Sequence, residues 1–65
     1  MTVAEEVKNL FDRYTENETE IEQLKLQKDQ VTEDMWRSIV KRIVDLRMEN
    51  RRIDQRYKKL YYTYI

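Results

Sequence analysis

The chain has 65 residues, of which 40% are hydrophobic and 40% charged with no net charge, and it contains no Gly, Pro, Cys or His. Without Cys or His, thiol and imidazole chemistry, disulfides and zinc-finger sites are excluded, and without Gly so are glycine-rich phosphate loops. No apolar run approaches the roughly 20 residues of a membrane span, and no signal-peptide pattern opens the chain. We therefore expect one all-helical, cytoplasmic domain over residues 1–65.

The first predicted element is a helix over about residues 2–30. Its core positions, which we call its seam, recur at alternating steps of four and three, the heptad spacing of a coiled coil. Thr2 followed by Glu5 is typical of a capping box at a helix start. The nine seam positions are apolar or aromatic except for one Asn and one Lys: Val3, Val7, Leu10, Tyr14, Asn17, Ile21, Leu24, Lys28 and Val31.

A short turn is predicted at about residues 31–34, because the heptad register breaks there. If the first seam continued, its next core residue would be Met35, whereas the second seam begins at Trp36. Thr32 is a favourable N-cap, and Glu33 and Asp34 place negative charge where the dipole of a new helix favours it. One helix is therefore expected to end here and another to begin.

The second predicted helix covers about residues 33–62. Its seam has the same alternating spacing, and only Asn50 departs from apolar or aromatic character. The nine seam positions are Trp36, Ile39, Ile43, Leu46, Asn50, Ile53, Tyr57, Leu60 and Tyr64.

The two seams predict an antiparallel hairpin. With Val7 and Trp36 both at heptad position a, the numbers of opposed core residues sum to 67, so Asn17 meets Asn50. Two facing amides satisfy each other, whereas an Asn opposite an apolar side chain would leave buried polar atoms unpaired. Such a pair costs stability but sets the register. The predicted fold is an antiparallel two-helix coiled coil with Asn17 and Asn50 as the register-setting residues.

The charges favour the same fold. Residues 1–34 carry ten acidic and four basic side chains, and residues 35–65 carry nine basic and three acidic ones. A hairpin brings these opposite charges together, whereas a parallel dimer of one long helix would set like charges against each other. An antiparallel dimer of long helices remains an alternative, since it would use the same layers. The hairpin places three acids near three bases: Glu18, Glu20 and Glu22 near Arg42, Arg47 and Arg51.

A lone hairpin buries little apolar surface, because each helix contributes one seam. Apolar residues off the seam indicate where further burial occurs. We expect two hairpins to dimerise into a four-helix bundle; the alternative is that these residues are ordinary surface scatter. The predicted self-association residues are Val40, Val44, Met48, Leu26 and Phe11.

Two further features predict contacts with a partner. Tyr61 and Tyr62 are candidate contact residues, because Tyr offers a large contact area at low entropic cost. Phe11 and Tyr14 are expected near Tyr57 and Tyr64, in an aromatic cluster at the open end of the hairpin. The second feature is a basic set on the outer face of the second helix: Arg37, Lys41, Arg51, Arg52, Lys58 and Lys59.

We interpret the protein as a non-enzymatic interaction or regulatory module. Its only serine, Ser38, has no His or Cys to act as its base. No cofactor, metal, small-molecule substrate or membrane contact is expected; the expected partners are a second copy and an unidentified protein, for which helix-in-groove binding is one mode. The alternative is a nucleic-acid-binding accessory protein whose basic set contacts phosphates. A third interpretation is that the basic set is only solvated.

Overall fold

The computed structural model describes residues 2–64, apart from the side chain of Tyr64. It contains a first helix α1 (Val3–Lys25), a 3-10 turn (Lys28–Gln30) and a second helix α2 (Glu33–Tyr64). The two helices pack along each other as a rod of 48 × 16 × 14 Å, which confirms the predicted all-helical hairpin. Within the described residues, neither helix has a segment apolar enough to cross a bilayer.

Both helices begin at the threonine caps that the sequence predicts. The Thr2 hydroxyl oxygen accepts a hydrogen bond from the Glu5 amide at 3.1 Å, and the Thr32 hydroxyl oxygen accepts one from the Met35 amide at 3.3 Å. The Thr32 carbonyl also accepts from the Trp36 amide at 2.9 Å, which closes the first turn of α2. Each cap satisfies a backbone donor that a helix start otherwise leaves unpaired.

The end of α1 differs from the prediction. The helix ends at Lys25, whereas the seam pattern places its end near residue 30. The Gln27 amide donates to a carbonyl three residues back, so the backbone tightens to 3-10 spacing before the turn. Lys28, a predicted seam residue, is exposed. Because helices in proteins are held mainly by the packing of an apolar face, this segment lacks the contact that would keep it α-helical.

The core lies in the middle of the hairpin and follows the predicted layers there. Ile21 and Leu46, which form one predicted layer, retain only 2% and 1% of their surface. The other buried hydrophobic residues are Ile43, Ile53 and Leu60. Leu24, Trp36 and Ile39 pack against the central cluster. The predicted layer that pairs Val3 with Tyr64 stays a prediction, because the Tyr64 side chain lies outside the described part of the chain.

Two tyrosines predicted to lie in the seam are not buried. Tyr14 and Tyr57 keep 38% and 43% of their surface, although Ile53, the predicted partner of Tyr14, is buried. A tyrosine ring is longer than the aliphatic side chains of the other layers, and two helices provide no third layer to cover it. The rings therefore extend to one edge of the seam, where they line the groove described below.

Candidate interaction surface

A buried polar layer crosses the middle of the hairpin. Asn17 Nδ2 donates to Asn50 Oδ1 at 2.8 Å, and the two residues are only 2% and 4% exposed. Asn50 Nδ2 donates in turn to Glu18 Oε1 at 2.9 Å and to the Tyr14 carbonyl at 3.3 Å. Among the side chains that the structure describes, every buried N or O atom has a hydrogen-bond partner. The predicted contact between Asn17 and Asn50 is therefore confirmed.

One side of this layer, which we call the closed flank, is bridged by ion pairs between the helices. All six residues occupy heptad position g, so the pairs recur every seven residues along the rod. The pairs are Arg56 with Glu6, Arg13 with Glu49 and Arg42 with Glu20, at N–O distances of 2.7, 2.8 and 2.8 Å. Two of the arginines, Arg13 and Arg42, engage both oxygens of their carboxylate.

The ion pairs shift the pKa values of Arg13, Arg42 and Glu49 toward the charged forms. The hydrogen bond from Arg13 lowers the pKa of Glu49 against a smaller opposing effect of burial. The charge of Arg13 and a hydrogen bond from Asn17 also lower this pKa. The hydrogen bonds to Glu49 and Glu20 raise the pKa of Arg13 and of Arg42 respectively. The closed flank is thus composed of charges that already have partners.

The opposite side of the seam, which we call the open flank, carries an apolar groove of about 580 Å³ near the open end of the hairpin. Phe11 is the most exposed large hydrophobic residue in it, with 68% of its surface free. The groove is lined by Ala4, Val7, Lys8, Leu10, Phe11, Tyr14, Ile53, Asp54 and Tyr57. Phe11, Tyr14 and Tyr57 therefore share one surface, as expected for part of the aromatic cluster.

A smaller, polar depression of about 290 Å³ continues the open flank toward its middle. It shares Tyr14 and Asp54 with the groove and reaches the polar layer at Asn50. Its remaining lining residues are one acid from α1 and two bases from α2: Glu18, Arg47 and Arg51. The open flank thus combines an apolar end with a centre that carries both signs of charge.

The five predicted self-association residues are all exposed, but they do not share one surface. Phe11 and Val40 occupy heptad position e, on the open flank, and Val44 lies beside it at position b. Leu26 and Met48 occupy position f, which points away from the seam. Only Phe11 among the five lines the groove.

The two candidate contact tyrosines stand beside the groove residue Tyr57. The Tyr57 and Tyr61 ring centroids are 6.3 Å apart, and Tyr61 meets Tyr62 edge to face at 5.4 Å. Tyr61 is 45% exposed and Tyr62 is 79% exposed. The aromatic surface of the groove therefore continues along α2 toward its end.

All six residues of the predicted basic set are exposed. Arg37 pairs with Glu33 at 3.2 Å and Lys58 with Asp54 at 3.0 Å, both within α2. For the remaining four, no carboxylate of residues 2–64 lies within ion-pair distance: Lys41, Arg51, Arg52 and Lys59.

Sequence reasoning identified only part of this surface. It placed Glu20 near Arg42, but it missed the other two pairs of the closed flank, although opposite charges recur at heptad position g in both helices. The groove has a weaker signal, the two tyrosines at core positions, whose size two helices alone do not accommodate. Among the described residues, no cluster of three acidic side chains is arranged to hold a metal ion.

No family model matches this chain, and neither a curated protein nor a solved structure matches it. The structure defines a class, a helical hairpin with one flank bridged by ion pairs and the other open, and its surfaces are the basis for a functional proposal.

Proposed function

We propose that this chain is a non-enzymatic protein–protein interaction module that self-associates, two hairpins forming a four-helix bundle. The observation that carries the proposal is the difference between the two flanks. One flank is bridged by ion pairs, whereas the other leaves an apolar groove open to solvent, with Phe11 exposed by 68%. A contiguous exposed apolar surface on a small protein is typical of a site that another protein covers.

The small core supports the same proposal. Only five hydrophobic residues among the described ones are buried, and two of the predicted core residues, Tyr14 and Tyr57, remain more than one third exposed. A domain of this size gains little stability from one core, and oligomerisation is a common remedy. Covering the groove with a second copy would bury the rings that the hairpin alone leaves in water.

A regulatory role follows from this equilibrium, because the bundle would form and dissociate with the concentration of the chain. Tyr61 and Tyr62 extend the aromatic surface and are our candidates for contact with a second, unidentified protein. Tyrosine rings of this kind are common in the energetically important part of protein interfaces. The cytoplasmic location stays a prediction.

Sedimentation equilibrium over a range of chain concentrations tests the proposal. We expect twice the chain mass of 8.2 kDa for the native chain and the single mass for Phe11→Glu, which puts a charge into the groove. Gln23→Glu is the matched control, since it adds the same charge to an exposed position of α1 outside the groove and should leave the dimer intact. A single-chain mass for the native protein at every concentration would overturn the proposal.

Nucleic-acid binding is the second candidate function, and it is favoured by the four bases that have no acidic partner within ion-pair distance among residues 2–64. Binding through phosphate contacts weakens steeply with salt. We expect such binding, in titrations with single- and double-stranded DNA and RNA at two salt concentrations, to be lost in the double variant Arg51→Glu/Arg52→Glu. The double variant Lys25→Glu/Lys28→Glu, which reverses two exposed charges outside the groove, is the control. Absence of binding by the native chain at low salt would remove this function.

A further inference from the structure

We propose that the second copy docks on the open flank about a two-fold axis that runs parallel to the helices, so that each α1 lies against the α2 of the other copy. This places groove against groove at the same end of the bundle. The inference rests on the proposed self-association and adds to it the surface, the orientation and the contacts. It is carried by the separation of charge between the two helices and by the position of the groove.

The closed flank is a poor surface for docking. Its arginines and glutamates already form ion pairs across the hairpin. In two of the three pairs, the arginine contacts both carboxylate oxygens. Covering these pairs would remove water from charges that gain no better partner, which is costly. The open flank has apolar surface that gains from being covered.

Charge selects the orientation of the second copy on the open flank. Glu18 lies one residue from Asn17, and Arg51 lies one residue from Asn50, so both stand at the height of the polar layer. With the axis parallel to the helices, Glu18 of one copy faces Arg51 and Arg47 of the other. If the second copy were upside down and the two hairpins overlapped fully, the axis would cross the polar layer at the middle of the rod. Glu18 would then face Glu18 and Arg51 would face Arg51, and like charges at an interface disfavour docking.

The net charges of the whole helices favour the same orientation of the second copy. The α1 helix carries seven acidic and three basic side chains, and α2 carries nine basic and five acidic ones. In the proposed orientation, every helix has two neighbours of opposite net charge, one in its own chain and one in the second copy. In the inverted orientation, α1 would adjoin α1 and α2 would adjoin α2.

The groove residues then meet their copies at a common height. Phe11 lies six residues before Asn17 and Tyr57 seven residues after Asn50, so both are roughly 10 Å from the polar layer, toward the open end, at 1.5 Å of rise per residue. Phe11 of one copy is therefore level with Tyr57 of the other. The exposed rings would fill each other's groove, and aromatic pairs stabilise such contacts beyond their buried area.

Cysteine cross-linking tests this orientation cleanly, because the chain has no cysteine of its own. We expect Tyr57→Cys to form a disulfide-linked dimer under mild oxidation, since this position lies near the axis in both copies. Arg51→Cys is the matched variant and should not cross-link, because in this orientation position 51 faces α1 of the other copy and the two thiols at position 51 lie on opposite sides of the bundle. In the inverted orientation, Arg51→Cys would cross-link and Tyr57→Cys would not. The two residues at position 57 would then be roughly 20 Å apart, beyond the approximately 7 Å limit between Cα atoms for a disulfide.

A distance measurement does not depend on disulfide formation. Spin labels on Tyr61→Cys, at the open end, should report no axial separation between copies, whereas the inverted orientation separates them by at least about 33 Å along the bundle. Efficient cross-linking through Arg51→Cys, or the long label distance, would overturn the inference while the dimer mass still supported self-association. A dimer that cross-links at neither position would overturn it as well. A single-chain mass would instead overturn the proposed function.

Discussion

Asn17 and Asn50 join the two helices through one hydrogen bond of 2.8 Å in the middle of the core, where both side chains are almost fully buried. A slip of one heptad would place Asn17 opposite Ile43 and Asn50 opposite Leu10. Each amide would then be buried without its partner, at a cost that an all-apolar seam would not impose. The pair therefore sets the register by making the neighbouring registers unfavourable, the best-attested role of a buried asparagine in coiled coils.

We expect Asn50→Leu to lower the free energy of unfolding by about 1–3 kcal/mol, because the Asn17 amide stays buried without its acceptor. Urea unfolding at a fixed chain concentration measures the change. The double variant Asn17→Leu/Asn50→Leu is the control: it should recover most of the loss, since two apolar side chains replace the polar pair. Equal stability of Asn50→Leu and the native chain would contradict the role of the pair.

The ion pairs of the closed flank predict a compensating charge reversal. Arg42→Glu places two acids together across the hairpin and should lower the urea midpoint, more at low salt than at high salt. Adding Glu20→Arg should restore most of the midpoint, because the pair is rebuilt with its charges exchanged. Reversal of Lys25 and Glu22, which pair within α1 at 3.4 Å, is the control and should have no effect on the contact between helices. Failure of the double reversal to recover stability would show that the pair does not join the helices.

The hairpin, both caps and the asparagine layer could be predicted because each depends on local spacing. Heptad steps identify the seam, and Thr32 lies where the register breaks. The end of α1 could not be predicted from the residues after Lys25, which include no Gly or Pro to stop a helix. The helix ends there because its packing against α2 ends, which is a property of the folded pair.

The open flank depended on side-chain size as well as spacing. Heptad spacing assigns Tyr14 and Tyr57 to the core. A pattern of apolar and polar residues does not take the length of a tyrosine ring into account. The same pattern put Met48 and Leu26 with Phe11 as apolar surface, although helical phase turns them away from it. The phase of Met48 and Leu26 can be read from the sequence, whereas the groove itself depends on how the tyrosine rings pack in the folded hairpin.

Acid should weaken the hairpin through Glu49. Its pKa is lowered in the folded state by the hydrogen bond from Arg13, so the folded state favours the carboxylate more than the unfolded state does. This contribution is fully present above the unfolded value of about 4.3 and is lost as the pH falls through the lower folded value. We expect Glu49→Gln to reduce stability at neutral pH and to flatten its decline toward about pH 3.

Urea unfolding at a series of pH values measures this effect. Glu22→Gln, which removes one carboxylate from the exposed pair within α1, is the control for the loss of a charge alone. If Glu49→Gln declined toward acid as steeply as Glu22→Gln, the linkage to the Arg13 pair would be refuted.

The start of α2 should depend on the Thr32 hydroxyl, which accepts a hydrogen bond from the Met35 amide at 3.3 Å. Thr32→Ala removes this acceptor, and the loss of an N-cap costs about 0.5–2 kcal/mol, which thermal unfolding at a fixed chain concentration would detect. Thr32→Ser keeps the hydroxyl and should retain most of the stability, so comparison of the two variants separates capping from side-chain volume. Thr2→Ala removes the equivalent cap of α1 but should cost less, because Thr2 caps a terminal turn that opens before the core does, whereas Thr32 lies where the chain reverses between both helices. Equal stability of Thr32→Ala and Thr32→Ser would mean that the break in register, and not the cap, determines where α2 begins.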